Sequence, residues 1–117
     1  MARIKAILPS LREKKRYLVF EVFSKGKIRD YSGVSKAIWQ GMLSFAGTKG
    51  AAQAGLILLP EKYNQQAQRG IIRVNNKQVD LLKASLALIQ EVDNVPATIR
   101  SIGVSGSLKK ATKHIAG

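Results

Sequence analysis

Apolar side chains alternate with polar ones in some stretches of the chain and recur at helical spacing in others. Residues 15–23 alternate and are rich in β-branched and aromatic side chains, which predicts a strand. One face of this strand carries Leu18, Phe20 and Val22, and the other carries Tyr17, Val19, Glu21 and Phe23. Both faces are largely apolar, so we expect each to be covered or to bind a partner.

Two later stretches have helical spacing. The first begins near Ser32 or Ser35, ends near Ala46 with Gly47 as its C-cap, and places on one stripe Val34, Ile38, Met42 and Phe45. The second, residues 78–92, has the clearest helical period, and its predicted buried stripe is Val79, Leu82, Leu86 and Ile89. Asn94 and Pro96 end it.

The remaining apolar runs predict strands. Residues 56–59 and 70–74 flank the polar turn 64–68, which indicates an antiparallel hairpin. A last strand over 98–105 leads into a short basic helix, residues 108–115, whose predicted core face is Leu108, Ala111 and Ile115.

The order strand, helix, strand, strand, helix, strand predicts an α+β fold. With right-handed crossovers it gives a ferredoxin-like or RRM-like βαββαβ sandwich, a four-stranded antiparallel sheet with two helices on one face and a C-terminal basic helix. The other face of the sheet is predicted to be free for a partner. At 117 residues we expect one domain over 1–117, with a short basic arm at 1–10 and the basic helix at 107–117.

The charge narrows the class of partner. Twenty Lys and Arg against seven Asp and Glu give a net charge of +13, which indicates a polyanion, nucleic acid before an anionic membrane. No apolar run approaches the roughly 18 residues of a membrane span, and the run at 6–8 is shorter than a signal peptide, so we expect a cytoplasmic protein. Without Cys, the single His114 cannot build a zinc site.

The cations fall into two clusters. The first 29 residues hold nine Lys or Arg against two Glu, and the C-terminal helix adds Lys109, Lys110 and Lys113 with no acid. Because the clusters flank the two ends of one small sheet, they favour a phosphate-binding surface over scattered solvated charges.

Three other motifs favour structural interpretations. Glu91 and Asp93 end a helix and lack the convergent geometry of an acid-base pair. Residues 47–50 match the GXXG loop of KH domains, but a strand follows too soon, so a helix end and loop are favoured. Residues 69–74 fit the frame of the RRM signature, yet Ile71 and Arg73 replace its stacking aromatics, so we do not expect base readout of the RRM kind.

Three fragments resemble the archaeal ribonuclease P protein component 2 family. They are residues 11–17 (LREKKRY) leading into 18–22, residues 70–73 (GIIR) after a polar turn, and residues 103–106 (GVSG) before a basic helix. In this order they extend from about residue 9 to 113. The resemblance implies an RRM-like or ferredoxin-like fold in an RNA-binding subunit of ribonuclease P.

The same resemblance implies the partners. It indicates ribonuclease P RNA, precursor tRNA indirectly, and a TIM-barrel-like protein component 3, with which the chain forms a heterotetramer. The RNA would hold the Mg²⁺ ions that remove the 5′ leader, so no cofactor and no catalytic residue is expected in this chain. The implied RNA contacts, with Lys113 added from its charge cluster, are Arg12, Lys14, Lys15, Arg16, Arg73, Ser105, Ser107, Lys109, Lys110 and Lys113.

The loop 24–30 is more basic than the family leads us to expect, so the resemblance transfers no contacts to it. Trp39 and Leu43, four residues apart on the first helix, either widen its core face or contact a protein. We assign to the protein-partner surface Tyr17, Phe23, Trp39 and Leu43, and leave open whether Tyr17 and Phe23 serve the RNA instead. Two alternative functions remain: a general RNA-binding or ribosomal protein of this fold, or a protein mainly for assembly.

Overall fold

A ten-residue strand lies at the centre of the fold. In the computed structural model, which describes residues 14–28 and 30–115, this strand pairs with a neighbour along each edge. The elements are β1 (Lys15–Ser24), α1 (Tyr31–Ala54), β2 (Ile57–Leu58), β3 (Arg69–Asn75), α2 (Val79–Ala87), β4 (Glu91–Val92), β5 (Val95–Ser105) and α3 (Leu108–Thr112). Short 3-10 turns lie at Pro60–Lys62 and Asn76–Gln78. None of the helices in these ranges is long and apolar enough to cross a membrane.

The sheet is antiparallel and has the order β2-β3-β1-β5-β4. The four predicted strands and their hairpin are present, compatible with an RRM-like fold, but the predicted count of four was wrong because β4 adds a fifth strand at the edge. Along the β1–β5 ladder Val19 pairs with Gly103 and Phe20 with Ser101, so Ile102 is an extra residue that forms a bulge.

The two faces of β1 are buried in different clusters. Leu18, Phe20 and Val22 are buried with the helices α1 and α2 in the main core, as the alternation predicted. Full burial of a side chain of this size stabilises the fold by about 1.5–3 kcal/mol. We call the opposite face, which carries Tyr17 and Val19, the outer face.

The outer face is partly covered by α3. Ala111 is fully buried against Val19 and Ile71, with Leu108 and Ile115 packed around them. The predicted core positions Leu108, Ala111 and Ile115 are confirmed, although the helix ends at Thr112 and not at residue 115. The prediction of a free second face was wrong for this part of the sheet. The apolar side chains at Val19 and Ile71 provided the surface on which α3 packs.

The first helix is longer than predicted. Gly47 interrupts it with φ 76° and ψ 174°, but the chain resumes helical geometry and continues to Ala54, and Gly55 at φ 58° is the C-cap. At the start, the Asp30 side chain accepts a hydrogen bond from Ser32 N at 3.0 Å, so the cap is Asp30 instead of a serine. Of the predicted stripe, Val34, Ile38 and Met42 are buried, whereas Phe45 is 44% exposed.

The second helix is shorter than predicted. It ends at Ala87, because the chain beyond Ile89 turns back as the hairpin β4–β5 instead of continuing as helix. Asp93 and Asn94, at the tip, have φ of 51° and 64°, the left-handed pair that a tight hairpin requires. The buried positions Leu82, Leu86 and Ile89 agree with the prediction.

Gly70 lies where two aromatic rings approach the sheet. A Cβ built on Gly70 would lie 2.7 Å from Phe20 Cζ and 2.9 Å from Tyr63 Cδ1. These two rings are stacked, with centroids 6.3 Å apart, so neither has space to retreat. Gly103, on β5, has open space at the same position.

We therefore expect Gly70→Ala to destabilise the protein by about 1–3 kcal/mol, because the new methyl overpacks the rings. Gly103→Ala is the matched control and should change the free energy of unfolding by less than about 0.5 kcal/mol. Urea unfolding followed by circular dichroism measures both. Equal effects of the two substitutions would contradict the packing that we describe at Gly70.

Tyr31, at the start of α1, and Tyr63, after the 3-10 turn Pro60–Lys62, share a half-buried environment. The rings of Tyr31 and Tyr63 lie 4.8 Å apart, and within the described residues neither buried hydroxyl has a hydrogen-bond partner. Burial, with a smaller contribution from the nearby charge of Glu61, raises the pKa of Tyr31 to about 12 from its usual 10. Burial also raises the pKa of Tyr63.

The folded protein therefore holds the Tyr31 proton more tightly than the unfolded chain does. This difference in pKa contributes to the free energy of unfolding. The contribution is complete below pH 10 and is lost as the pH rises toward 12. We expect the wild type to lose stability relative to Tyr31→Phe across this window, measured as the difference in urea midpoint at each pH. A constant difference from pH 9 to 12 would show that the hydroxyl titrates normally.

Candidate nucleic-acid interface

One row of side chains crosses four strands of the outer face near the start of β1. Tyr17 pairs in register with Arg73 of β3 and with Ser105 of β5, and Arg73 pairs with Ile57 of β2. Since adjacent strands lie about 4.8 Å apart, Arg73 and Ser105 are about 10 Å from each other. The sheet therefore brings together predicted RNA contacts that are far apart in sequence.

Arg16 lies beside the loop that leads into α3. A Cβ built on Gly106 would lie 3.1 Å from Arg16 Nη1, so the guanidinium packs against this glycine. The first turn of α3 follows directly and exposes Lys109 and Lys110. We call these three cations, Arg16, Lys109 and Lys110, the basic corner.

Two serines fix the geometry of this loop. Ser105 Oγ accepts a hydrogen bond from Ser107 N at 3.1 Å, and Ser107 Oγ caps α3 by accepting from Lys110 N at 3.4 Å. Because their oxygens serve the backbone, they hold the two lysines in place. Their own predicted contact with RNA stays a prediction.

The far end of α3 is fastened to the sheet by polar contacts. Arg69 Nε forms a 3.0 Å salt bridge with Glu21 on the outer face, and Arg69 Nη1 donates to His114 O at 2.9 Å. Asn64 Nδ2 donates to Ile115 O at 2.7 Å. The pair of Arg69 and Glu21 is the one salt bridge within residues 14–28 and 30–115. The other described cations of the surface are therefore not neutralised by salt bridges within these ranges.

Lys15 and Arg73 differ from the exposed cations. The Lys15 ammonium donates to Asn75 Oδ1, and Asn75 in turn donates to Gln53 O at 2.6 Å, so Lys15 joins β1 to the end of α1. The Arg73 side chain is half-buried, and its Nε has no hydrogen-bond partner among the described residues. Leaving a buried guanidinium nitrogen unpaired costs free energy, and since this atom is buried, the contact of Arg73 with RNA stays a prediction.

The other predicted RNA contacts lie around this surface or outside the description. Lys14 is exposed at the start of β1, and Lys113 is exposed beyond the end of α3. Arg12 lies outside the described residues. The structure also places Arg69 and Arg100 on the outer face, and sequence reasoning missed both. For Arg69 the strand parity with Arg73 was a usable signal, whereas Arg100 lies on the same face as Ser105 only because of the bulge at Ile102.

The four predicted partner residues lie on two separate layers. Tyr17 is half-buried beside α3 and Phe23 is 43% exposed, both on the outer face. Trp39 packs against the main core from α1, whereas Leu43 on the same helix is 45% exposed. The structure therefore does not join these four residues into one contact surface.

The helix layer carries a groove of its own, lined by both apolar and polar side chains. It has a volume of about 510 Å³ and lies between α1 and the segment from α2 to β4. Its apolar lining includes Phe45 and Leu88, which are 44% and 61% exposed. No cluster of three or more His, Cys, Asp or Glu side chains suited to a metal ion occurs within the described part of the chain.

Comparisons with known proteins agree on one family. The sequence model of the Rpp14/Pop5 family matches residues 16–116. Ribonuclease P protein component 2 of Thermococcus gammatolerans is 37% identical over 106 residues, 91% of this chain and 86% of that protein. The protein of the same name from Pyrococcus furiosus is 35% identical, with 92% and 88% covered.

A solved structure supports the fold independently. A chain in the cryo-EM structure of yeast ribonuclease MRP superposes with a TM-score of 0.66 at 16% identity, over 82% of this chain and 76% of that one. At this identity the match concerns the fold alone. From the family match and the archaeal relatives, we conclude that the chain belongs to the Rpp14/Pop5 family, together with archaeal ribonuclease P protein component 2.

Proposed function

We propose that the chain is an RNA-binding protein subunit of ribonuclease P that acts in the cytoplasm and supports removal of the 5′ leader from precursor tRNA. The observation that carries this proposal is the basic corner, in which Arg16, Lys109 and Lys110 are held by a capped helix and a strand start and have no salt-bridge partner among the described residues. Membership of the Rpp14/Pop5 family supports ribonuclease P as the assembly.

The chain's chemical contribution would be electrostatic. Folded RNA brings phosphates close together, and fixed cations neutralise them without the entropy cost of ordering a flexible tail. The catalytic Mg²⁺ ions would be held by the RNA, and the protein would lower the concentration of free Mg²⁺ that the RNA needs to fold. No residue of this chain is given a role in bond cleavage, and precursor tRNA is contacted indirectly.

The helix layer would serve a protein partner. Three large apolar side chains of this layer are exposed: Leu43 at 45%, Phe45 at 44% and Leu88 at 61%. Phe45 and Leu88 line the groove, and exposed apolar side chains of this kind are typical of protein contacts. We propose ribonuclease P protein component 3 as that partner, in an assembly that doubles into a heterotetramer, which leaves the outer face for RNA.

The basic corner can be tested by the salt dependence of RNA binding. Each phosphate contact contributes about 0.7–0.9 to the slope of log K against log salt, so replacing Arg16, Lys109 and Lys110 by Gln should lower the slope by about 2–3. Gln at Lys36, Lys49 and Lys83, exposed on α1 and α2, removes the same charge and is the control. Equal slopes for the two variants would exclude a specific contact at the corner.

Reconstituted cleavage tests the assembly. An Arg12→Ala, Lys14→Ala, Arg16→Ala variant leaves Lys15 and its contact with Asn75 intact. With ribonuclease P RNA and the other protein subunits, we expect slower precursor tRNA cleavage at limiting Mg²⁺ and recovery when Mg²⁺ is raised, because Mg²⁺ replaces the lost cations. Unchanged cleavage at limiting Mg²⁺ would refute the role of these residues, and preference for ribosomal RNA in a pull-down would favour a general RNA-binding protein.

A further inference from the structure

A second group of cations surrounds an exposed aromatic ring at the opposite end of β1 from the basic corner. Phe23 is 43% exposed on the outer face, in the part that α3 leaves uncovered. The guanidinium of Arg100 lies over its ring, with Cζ 5.2 Å from the centroid. Lys25 and Lys27 are exposed in the loop directly after the strand. We call these residues, Phe23, Lys25, Lys27 and Arg100, the Phe23 platform.

The loop that carries the two lysines is held at both sides. Gln68, at φ 53°, accepts a hydrogen bond from Ile28 N at 2.9 Å through Oε1, and its Nε2 donates to Val22 O at 2.9 Å and to Ser24 Oγ at 3.2 Å. On the other side Lys25 N donates to Pro96 O at 3.2 Å, and Ile28 is buried in the main core. The backbone between Val22 and Ile28 is therefore fixed before any ligand arrives.

The charges around the ring favour an anionic ligand. Three of the four residues of the platform, Lys25, Lys27 and Arg100, are cations. The nearest acid on the outer face, Glu21, is engaged by Arg69 at 3.0 Å. Of the acids in the adjacent β4–β5 hairpin, Asp93 packs against Gly33 of α1, on the helix side of the sheet, and Glu91 pairs with Pro96 at the edge. A second copy of this strongly basic chain would meet like charge here.

An aromatic ring with a planar guanidinium over one face has a more specific use than attracting charge. Unpaired bases stack on phenylalanine rings and on arginine planes, while nearby lysines contact the backbone phosphates on either side. A paired base in a duplex keeps its faces covered by its neighbours and cannot stack on such a ring. We propose that the Phe23 platform binds a single-stranded segment of RNA, with a base stacked on the Phe23–Arg100 pair and phosphates at Lys25 and Lys27.

The proposed site differs in position from the stacking site of RRM proteins. Ile71, in the frame of the RRM signature, is fully buried beneath α3 and cannot meet a base. Phe23 lies at the end of β1, beyond the covered part of the outer face. The inference rests on the proposed function for RNA as the partner. It adds a subsite that is selective for unpaired RNA over duplex RNA.

Binding of a short oligonucleotide to the full chain tests the platform. The probe is a single-stranded RNA with one 2-aminopurine, whose fluorescence is quenched by stacking. Phe23→Leu keeps an apolar side chain but removes the ring, so we expect the quenching to disappear and affinity to fall about 5- to 150-fold, the range for one lost base stack. The slope of log K against log salt should stay at the wild-type value, and binding of duplex RNA should not change.

Lys25→Gln, Lys27→Gln should give the complementary result. The quenching is kept, while the salt slope falls by about 1.4, or 0.7 for each lost phosphate contact on a single strand. Lys36→Gln, Lys49→Gln, which removes two exposed lysines of α1, is the matched control and should keep the wild-type slope. The urea midpoint of each variant checks that it is folded.

The proposal is overturned if Phe23→Leu retains both quenching and affinity, or if the two lysine variants have equal slopes. It is also overturned if Phe23→Leu binds RNA normally but no longer binds purified protein component 3, which would assign the ring to the protein partner. Failure of the proposed function has a different signature: oligonucleotide binding and quenching persist, but the chain does not support cleavage by reconstituted ribonuclease P.

Discussion

The fold depends on the pairing of β1 along both of its edges. Its backbone forms antiparallel ladders with β3 on one side and β5 on the other, and its side chains are buried on one face by α1 and α2 and on the other by α3. A strand with partners on both edges and both faces has a single compatible register, because a shift by one residue would exchange its two faces. Because the register is fixed, the backbone position of every cation on this strand or on its neighbouring strands is fixed too.

Local patterns predicted the central elements because those elements are locally determined. The alternation of β1 and the stripes Val34-Ile38-Met42 and Leu82-Leu86-Ile89 were correct without any knowledge of the tertiary structure. The errors occurred where the same local sequence pattern is compatible with two different structures. A glycine after a helical run marks a helix end at Gly55, but only an interruption at Gly47, and the small residues that follow Gly47 are buried by tertiary contacts at Ala51 and Ala54. The two-residue strand β4 is likewise too short to produce a period.

The candidate site was predictable in composition and not in arrangement. The clusters around Arg16 and Lys109 are evident from the sequence, and the family resemblance indicated Arg73. The contacts that distinguish one cation from another are long-range: Lys15 bonds to Asn75, and Arg69 bonds to Glu21, across separations of 60 and 48 residues. The same applies to Phe23, which becomes part of a charged surface only when the β1–β5 ladder places Arg100 beside it.

The bulge at Ile102 has a consequence for the protein before it meets its partners. From Thr98 to Ser105, β5 pairs with β1 on one edge, and no other described strand pairs with its second edge. An open edge of this length is a template on which another chain can add a strand and begin to aggregate. The extra residue at Ile102 distorts the regular spacing of the backbone groups along this edge. The bulge therefore makes the open edge of β5 a poorer template for an added strand.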